Sequence, residues 1–507
     1  MSRSPLRHAS QLAIRLLFCA GWLLLCLDAM ATTQGADSRA ELATRINAQI
    51  SQPRFAAAQW GVAVVSLDSG RSLYAHDADR LLQPASTAKL FTAALALATL
   101  GPDYRIPTRL LAGGHLVRGR LNGPLILYGM GDPTLGTSSS PDWAEQLASQ
   151  AAARGLKFVQ GDLLADDSYF ASPAFGNGWE AGDLQSWFAV PTSALSVQEN
   201  IAMLAVSPTV AGQPARLAFS DDDAGTRIDN RLLTTTAHTP SDINLYRAPG
   251  TAVLHAFGTI AADAPAQHFR LAMVDPALVA GARLRQALKR HGIRVTGKLR
   301  AIHWPQRETA RIAHPGLLGE VQSPPLRDIV QRGLKRSQNL YMQNLLLAVG
   351  AAQPVSSTGF RSSENRALDA LGQLLRQIGV PASSSLIEEG AGLSRRDLVT
   401  PNAMVRLLGY LAAQPYAEMM REALPRAGVD GTLIRRMKGT AAENNVQAKT
   451  GSMSLVHCLA GYVTTATGER LAFAIMLNNY QQPNDAATAS SALDAIAELL
   501  AGYCGHD

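Results

Sequence analysis

The sequence predicts an α/β protein interrupted by a large strand-rich insertion, and three observations carry that expectation. Residues 32–104 read as one helix, two alternating segments and a central apolar helix. From about residue 105 to about 315 the texture changes to short β-like runs between turns. Helices then return, and the chain closes on strand, strand, helix.

The first 31 residues are expected to be a cleaved secretion signal. Arg3, Arg7 and Arg15 supply the positive start, and Ala29-Met30-Ala31 is a small-residue cleavage site. The apolar run Leu16 to Leu27 is shorter than the roughly 20 residues a membrane span needs, so no anchor is expected after cleavage. Leu25 before Cys26 argues against lipid attachment. Cleavage lowers the net charge from +6 to +4. There is no long Lys/Arg run and no aromatic–basic alternation, which argues against nucleic-acid binding. Two cysteines then remain, Cys458 and Cys504. An exported chain could bridge them or leave two thiols.

After the signal, Leu42, Ile46 and Ile50 recur every four residues on one helix face. "WGVAVVSLDSGRSLYAHDADRLL" alternates around Asp68-Ser69-Gly70 and predicts a hairpin. A central helix follows and stops near Gly101-Pro102. The strand-rich region contains "GPLILYGMGDPTL", "KFVQGDLLADDSYF" and "IAMLAVSPTVAGQPARLAFS", one helical piece at "DPALVAGARLRQALKRHGI", and a nested β-rich unit at 205–270. "SPPLRDIVQRGLKRSQNLYMQNLLLAVG" reads as two helices broken near Lys335-Arg336-Ser337. The end reads as "NVQAKTGSMS", then a hairpin turning at Thr467-Gly468, then a helix over 485–502 packed on the sheet.

Three short motifs carry chemistry. Ser86 and Lys89 stand three residues apart at the start of the central helix, so they share a face. A serine hydroxyl becomes a nucleophile when a base takes its proton, and a desolvated lysine can be that base. Ser337 and Asn339 sit at the helix break, where side chains point into a cleft. Lys449-Thr450-Gly451 lies on a strand, where the glycine allows close backbone approach. Each has a plainer reading alone: a chance spacing, a pair of helix caps, a solvated strand end.

Together, Ser-x-x-Lys, Ser-x-Asn and Lys-Thr-Gly in this order resemble the signature set of penicillin-binding proteins and serine β-lactamases. Ser86 and Ser337 lie 251 positions apart, wider than β-lactamases allow. The chain is similar to the type-4 low-molecular-mass penicillin-binding proteins, the D-alanyl-D-alanine carboxypeptidase/endopeptidase family. "GDPTL", "DDSYF", "GWEAGDLQSWFAVPTSAL", "GAGLSRRDLVTP" and "KTGSMS" carry the likeness across the chain. It implies a penicillin-binding transpeptidase-like catalytic domain, an antiparallel sheet with helices, from 32–104 and 316–507. It also implies an inserted domain from 105–204 and 271–315, with a third domain, 205–270, nested in it.

The resemblance implies roles. Ser86 attacks the peptide carbonyl between two D-alanines, with Lys89 as base. Ser337 relays a proton to the leaving amine, and Asn339 orients Lys89 and the substrate amide. The N–H groups of Ser86 and Ser452 form the oxyanion hole, and Lys449 supplies positive potential. Thr450 and Ser452, flanking Gly451, hold the substrate carboxylate. Asp183, Phe188, Arg395 and Met453 match the residues that grip a meso-diaminopimelate side chain. Asp183 as a turn cap and Arg395 as a surface charge are the plainer alternatives.

The expected ligands are peptidoglycan stem peptides and cross-links, and β-lactams. The expected location is the periplasm, either free or loosely associated with a membrane. A β-lactamase or esterase on the same scaffold, or a non-catalytic peptidoglycan-binding protein, are the competing readings. Asp132, Asp166 and Asp167 read as turn residues and His457 as structural. No metal, nucleotide or dinucleotide motif occurs, so no cofactor is expected.

Overall fold

The computed structural model describes residues 39–220, 225–306, 312, 315–354, 359–481 and 488–505. The expected secretion signal lies outside them, as does the start of the expected terminal helix.

Both ends of the chain build one antiparallel sheet. Strands β1 (Gln59–Ser66) and β2 (Ser72–His76) come from the start; β3 (Gln447–Met453), β4 (Val456–Thr464) and β5 (Arg470–Asn478) come from the end. The order across the sheet is β2-β1-β5-β4-β3, so Lys449 stands on an edge strand. Strand β5 is buried at every position after Arg470. Such a run needs cover on both faces, and it has it. Phe473, Ile475 and Leu477 point into a core shared with helix α1 (39–50) and the terminal helix. Ala472, Ala474 and Met476 point into the opposite core, with α2 (Lys89–Leu100), α3 (Leu326–Lys335), α4 (Asn339–Ala352), α5 (Ser363–Gln377) and α6 (Pro401–Ala412). The period of two along the strand divides the two cores. Each large apolar side chain buried here contributes about 1.5–3 kcal/mol.

The helix α2 has apolar residues all round, and its first nine residues are buried. A helix hydrophobic on every face belongs inside, and here it runs through the helical core and carries Lys89 in with it.

The inserted region forms a five-stranded sheet in the order Leu299–Ile302, Leu163–Asp166, Leu125–Gly129, Pro107–Ala112, Gly316–Gln322. Helices Trp143–Ala153 and Pro276–Arg290 pack on it. The first of these was not expected, although Trp143, Leu147 and Ala151 recur every four residues and are buried. The nested unit pairs two three-stranded sheets over a core containing Leu204, Val206, Leu232, Leu254 and Ile260.

Placing residue 316 in the catalytic domain needs correction. Strand Gly316–Gln322 is the edge of the inserted sheet, antiparallel to Pro107–Ala112. Glu320 stands opposite Arg109 and accepts from its Nε at 2.8 Å, while Leu318 and Val321 face the insert's core. The insert closes at Ile106 and Ser323, whose backbones meet as Ser323 N–H donates to the Ile106 carbonyl. The nested boundaries at 204/205 and 270/271 cut through two strands, Ile201–Ser207 and Gln267–Ala272, which pair with each other.

The terminal helix α7 (Ala489–Ala501) is tied down by a largely buried ion pair. The Arg436 guanidinium donates to both carboxylate oxygens of Asp494, with side chains only 18% and 12% exposed. Removing one partner strands a buried charge. Asp494→Ala is predicted to lower stability by about 3–5 kcal/mol, read as a lower urea midpoint with the baselines unchanged.

Candidate active site

Ser86 lies in a short 3-10 turn, Ala85–Ala88, whose N-cap is Pro84, and Lys89 opens α2. The expectation of one continuous α-helix face is adjusted accordingly. Residues three apart eclipse in a 3-10 turn, and this brings Lys89 Nζ to 2.8 Å from Ser86 Oγ. The turn begins with Ala85 at φ 45°, a left-handed conformation that alanine rarely adopts.

Two glycines press against this turn. A Cβ on Gly392 (φ 71°) would stand 2.0 Å from the Ala85 carbonyl oxygen. A Cβ on Gly451 would stand 2.5 Å from the Pro84 carbonyl oxygen. Gly451 therefore lets the strand approach the serine turn closely.

The second motif falls at a sharp break. Helix α3 ends, Ser337 adopts φ 55°, and α4 starts at Asn339. Asn339 Oδ1 accepts from Lys89 Nζ at 2.6 Å, and its Nδ2 donates to the Phe188 carbonyl at 2.7 Å. Ser337 Oγ accepts from Lys449 Nζ at 2.9 Å, and Lys449 also donates to the Thr450 carbonyl at 2.7 Å. Ser86, Lys89 and Asn339 thus form one hydrogen-bonded group and Ser337 and Lys449 a second, and the two lie together along one seam, close enough for the lysines to repel. Ser86 is half-buried, whereas both lysines are fully buried.

Burial sets the chemistry of the amines. Loss of hydration pushes Lys89 down to about 7, resisted by the charges of Glu389 and Asp397. Lys449 is pushed well below its usual value, by burial first and then by repulsion from Lys89. A neutral amine 2.8 Å from a hydroxyl oxygen can accept that hydroxyl's proton.

The sequence marked the Gly390-Ala391-Gly392 segment only as part of the family likeness and not as the loop that holds Lys89. The Ala391 carbonyl accepts from Lys89 Nζ at 2.5 Å. That loop is folded around the buried Glu389, whose carboxylate accepts from the N–H groups of Ala391 at 2.7 Å and Leu393 at 2.8 Å, and from Trp179 Nε1 at 3.2 Å. The signal was the acidic pair Glu388-Glu389 directly before Gly-Ala-Gly. Thr432 was missed too; its hydroxyl lies 2.8 Å from that of Thr450.

At the mouth, the exposed Ser452 and half-buried Met453 end β3. The next carbonyl, Ser454, accepts from Arg395 Nη1 at 3.1 Å, and Arg395 Nε donates to Glu180 at 2.8 Å. Burial and the charge of Glu180 raise the Asp183 carboxyl, against the opposing charge of Arg395. Asp183 and Arg395 are thus neighbours in the field of the mouth. Phe188 reaches the seam through its carbonyl, while its ring packs edge-on against Trp187.

Cys458 is buried and Cys504 exposed, both as free thiols. His457 faces the ring of Tyr480, and Asp132 caps Thr134. Asp167 pairs with His303. No cluster of potential metal ligands occurs among the described residues, and no described helix is long and apolar enough to cross a membrane.

A hydroxyl and a desolvated amine beside an edge strand define the class of site, and comparison with known proteins identifies the family. The chain matches the D-Ala-D-Ala carboxypeptidase 3 (S13) family over residues 42–500 and belongs to it. It is 34% identical over 499 residues to a D-alanyl-D-alanine carboxypeptidase of Actinomadura sp. (strain R39), covering 96% of this chain and 88% of the relative. It is 28% identical to the D-alanyl-D-alanine carboxypeptidase DacB of Haemophilus influenzae, covering 83% and 85%. The crystal structure of penicillin binding protein 4 from Haemophilus influenzae superposes with a TM-score of 0.76 at 25% identity, covering 90% of this chain and 97% of that one. The fold is therefore of the penicillin-binding type, and the protein is a carboxypeptidase of this family.

In protein labelled with 13C at lysine Cε, the Lys89 resonance is predicted to titrate near pH 7, and to vanish from the spectrum in Lys89→Arg. Glu389→Gln removes the charge that favours the protonated amine, so the midpoint should move down; an upward move would refute this account of the field.

Proposed function

We propose that the protein is an exported, periplasmic serine-type D,D-carboxypeptidase that also acts as a D,D-endopeptidase on peptidoglycan. The observation that carries the reading is the 2.8 Å contact between the Ser86 hydroxyl and the buried Lys89 amine. The family and the sequence of residues 1–31 support the substrate class and the export.

The reaction proceeds by acyl transfer. Ser86 Oγ attacks the carbonyl carbon of the penultimate D-alanine as Lys89 takes the hydroxyl proton. The N–H groups of Ser86 and Ser452 hold the oxyanion, each worth about 3–4 kcal/mol. The C–N bond then breaks, and the leaving amine receives through Ser337 the proton that Lys89 took from the serine, while Lys449 Nζ donates to the Ser337 hydroxyl oxygen. Water hydrolyses the resulting ester and regenerates the serine. In the carboxypeptidase reaction the leaving amine belongs to terminal D-alanine; in the endopeptidase reaction it belongs to a cross-linking side chain.

Thr450 and Ser452 hold the terminal carboxylate beside Gly451. Asp183 and Arg395 bind the amine and carboxylate of a diaminopimelate side chain, with Phe188 and Met453 against its methylenes. A β-lactam acylates Ser86 by the same step and leaves slowly. A structure of the Haemophilus influenzae protein complexed with a β-lactam, similar to this chain with a TM-score of 0.71, supports the binding of a β-lactam.

The mature protein should form a stable adduct with fluorescent penicillin on the peptide containing Ser86, and Ser86→Ala should form none. It should release D-alanine from a pentapeptide ending in D-Ala-D-Ala. Acylation needs neutral Lys89, so its rate should rise with pH through about 7 and level above. An intact antibiotic without adduct would sink the mechanism, and rapid turnover of the antibiotic would make the protein a β-lactamase.

A further inference from the structure

The seam is gripped from one side by the inserted region. We infer that Glu199, a residue of the insert, is the positioning residue for the Ser337–Asn339 motif. The inference rests on the acyl-enzyme reading above.

Glu199 sits in a turn that few sequences adopt. Gln198, Glu199 and Asn200 have φ values of 50°, 56° and 55°, three consecutive non-glycine residues in the left-handed region. Such conformations persist when surrounding contacts over-determine them. Here they do. Asn200 Oδ1 accepts from Val197 N–H at 2.9 Å, and its Nδ2 donates to the Pro191 carbonyl at 2.8 Å. Gln198 N–H donates to the Leu135 carbonyl at 2.7 Å, and the Asn200 carbonyl accepts from Met273 N–H at 2.9 Å.

The turn aims one carboxylate at the helix break. Glu199 Oε2 accepts from the side chain of Gln338, the middle residue of the motif, at 3.0 Å. Its Oε1 accepts from Arg332 Nη2 at 2.7 Å on α3, and from the Tyr341 hydroxyl at 3.2 Å on α4. One side chain, only 13% exposed, therefore ties together the helix before the break, the break, and the helix after it. Ser337 needs that support, because it too is left-handed. Nearby, the insert's Phe188 carbonyl holds Asn339, and Val190, Ile201 and Ala272 pack on Leu340. Glu199 touches no reacting atom; it acts through Gln338 and through the direction of the break.

The test measures the acylation rate constant with fluorescent penicillin in the full mature protein, alongside melting temperature. Glu199→Ala should acylate about 10- to 100-fold more slowly, because an ångström of misplacement at a reacting pair has that effect. Glu199→Gln, which keeps volume and one acceptor, should fall between it and wild type. Gln338→Ala should be slow as well, and the double variant should be no slower than the slower single one. Asp494→Ala, destabilised at the terminal helix rather than at the helix break, should acylate at the wild-type rate and so separates positioning from lost stability. Folded Glu199→Gln and Glu199→Ala acylating within twofold of wild type, or losses that simply add, would overturn the inference. Failure of the wild type itself to acylate would overturn the acyl-enzyme reading instead.

Discussion

Two lysine amines are buried in one seam, and the structure around them is arranged to make that tolerable. An uncompensated buried cation is very unfavourable, so each amine must find acceptors or lose its proton. Lys89 finds Ser86, Asn339 and the Ala391 carbonyl; Lys449 finds Ser337 and the Thr450 carbonyl. Two of the Lys89 acceptors lie 250 and 302 positions away in sequence. The seam exists only when the helical core, the helix break and the edge strand have all assembled. That is why one sheet is sewn from both ends of the chain: β1 beside β5 places the start of α2 next to the strand that carries Lys449.

Bringing backbone this close needs missing side chains. Gly392 and Gly451 press on the two residues before Ser86 from opposite elements, and any Cβ there would collide with a carbonyl. Ala85 is held in its unusual conformation between them. The strain therefore sits next to the serine, where it fixes the direction of the hydroxyl, and packing elsewhere offsets it.

The three motifs were legible because each combines residue types whose chemistry is specific and each lies on a recognisable element. The alternating hairpins and the period-four face of α1 were legible from their periodicity, whereas the same period in Trp143–Ala153 stood among strand-like runs and went unread. The Ala391 carbonyl was not, since a backbone acceptor leaves no residue-type signal. Nothing in the sequence distinguishes Glu389 from its neighbour Glu388, and only the fold shows it turned inward onto four donors. The edge strand Gly316–Gln322 was assigned to the wrong side of the boundary because sequence shows a strand's pattern without its partner. The Glu199 turn was illegible for a further reason: Gln-Glu-Asn has no glycine to announce a left-handed run, so its backbone is set by tertiary contacts.

The two amines are buried alike, but their surroundings differ. Lys89 has Glu389 and Asp397 behind it, which return it toward a neutral pH range after burial has pushed it down. An apolar wall in their place would lower the amine further and make it a weaker base. A carboxylate in direct contact would hold it protonated and unable to accept. Lys449 has no such counter-charge raising it; burial and Lys89 both act against its proton. Its implied role as a source of positive potential therefore depends on what binds. In the proposed binding mode, an anionic substrate end at Thr450 and Ser452 would bring the missing negative charge and favour the protonated form. The proposed preference for a free carboxylate thus has an electrostatic source in one buried lysine.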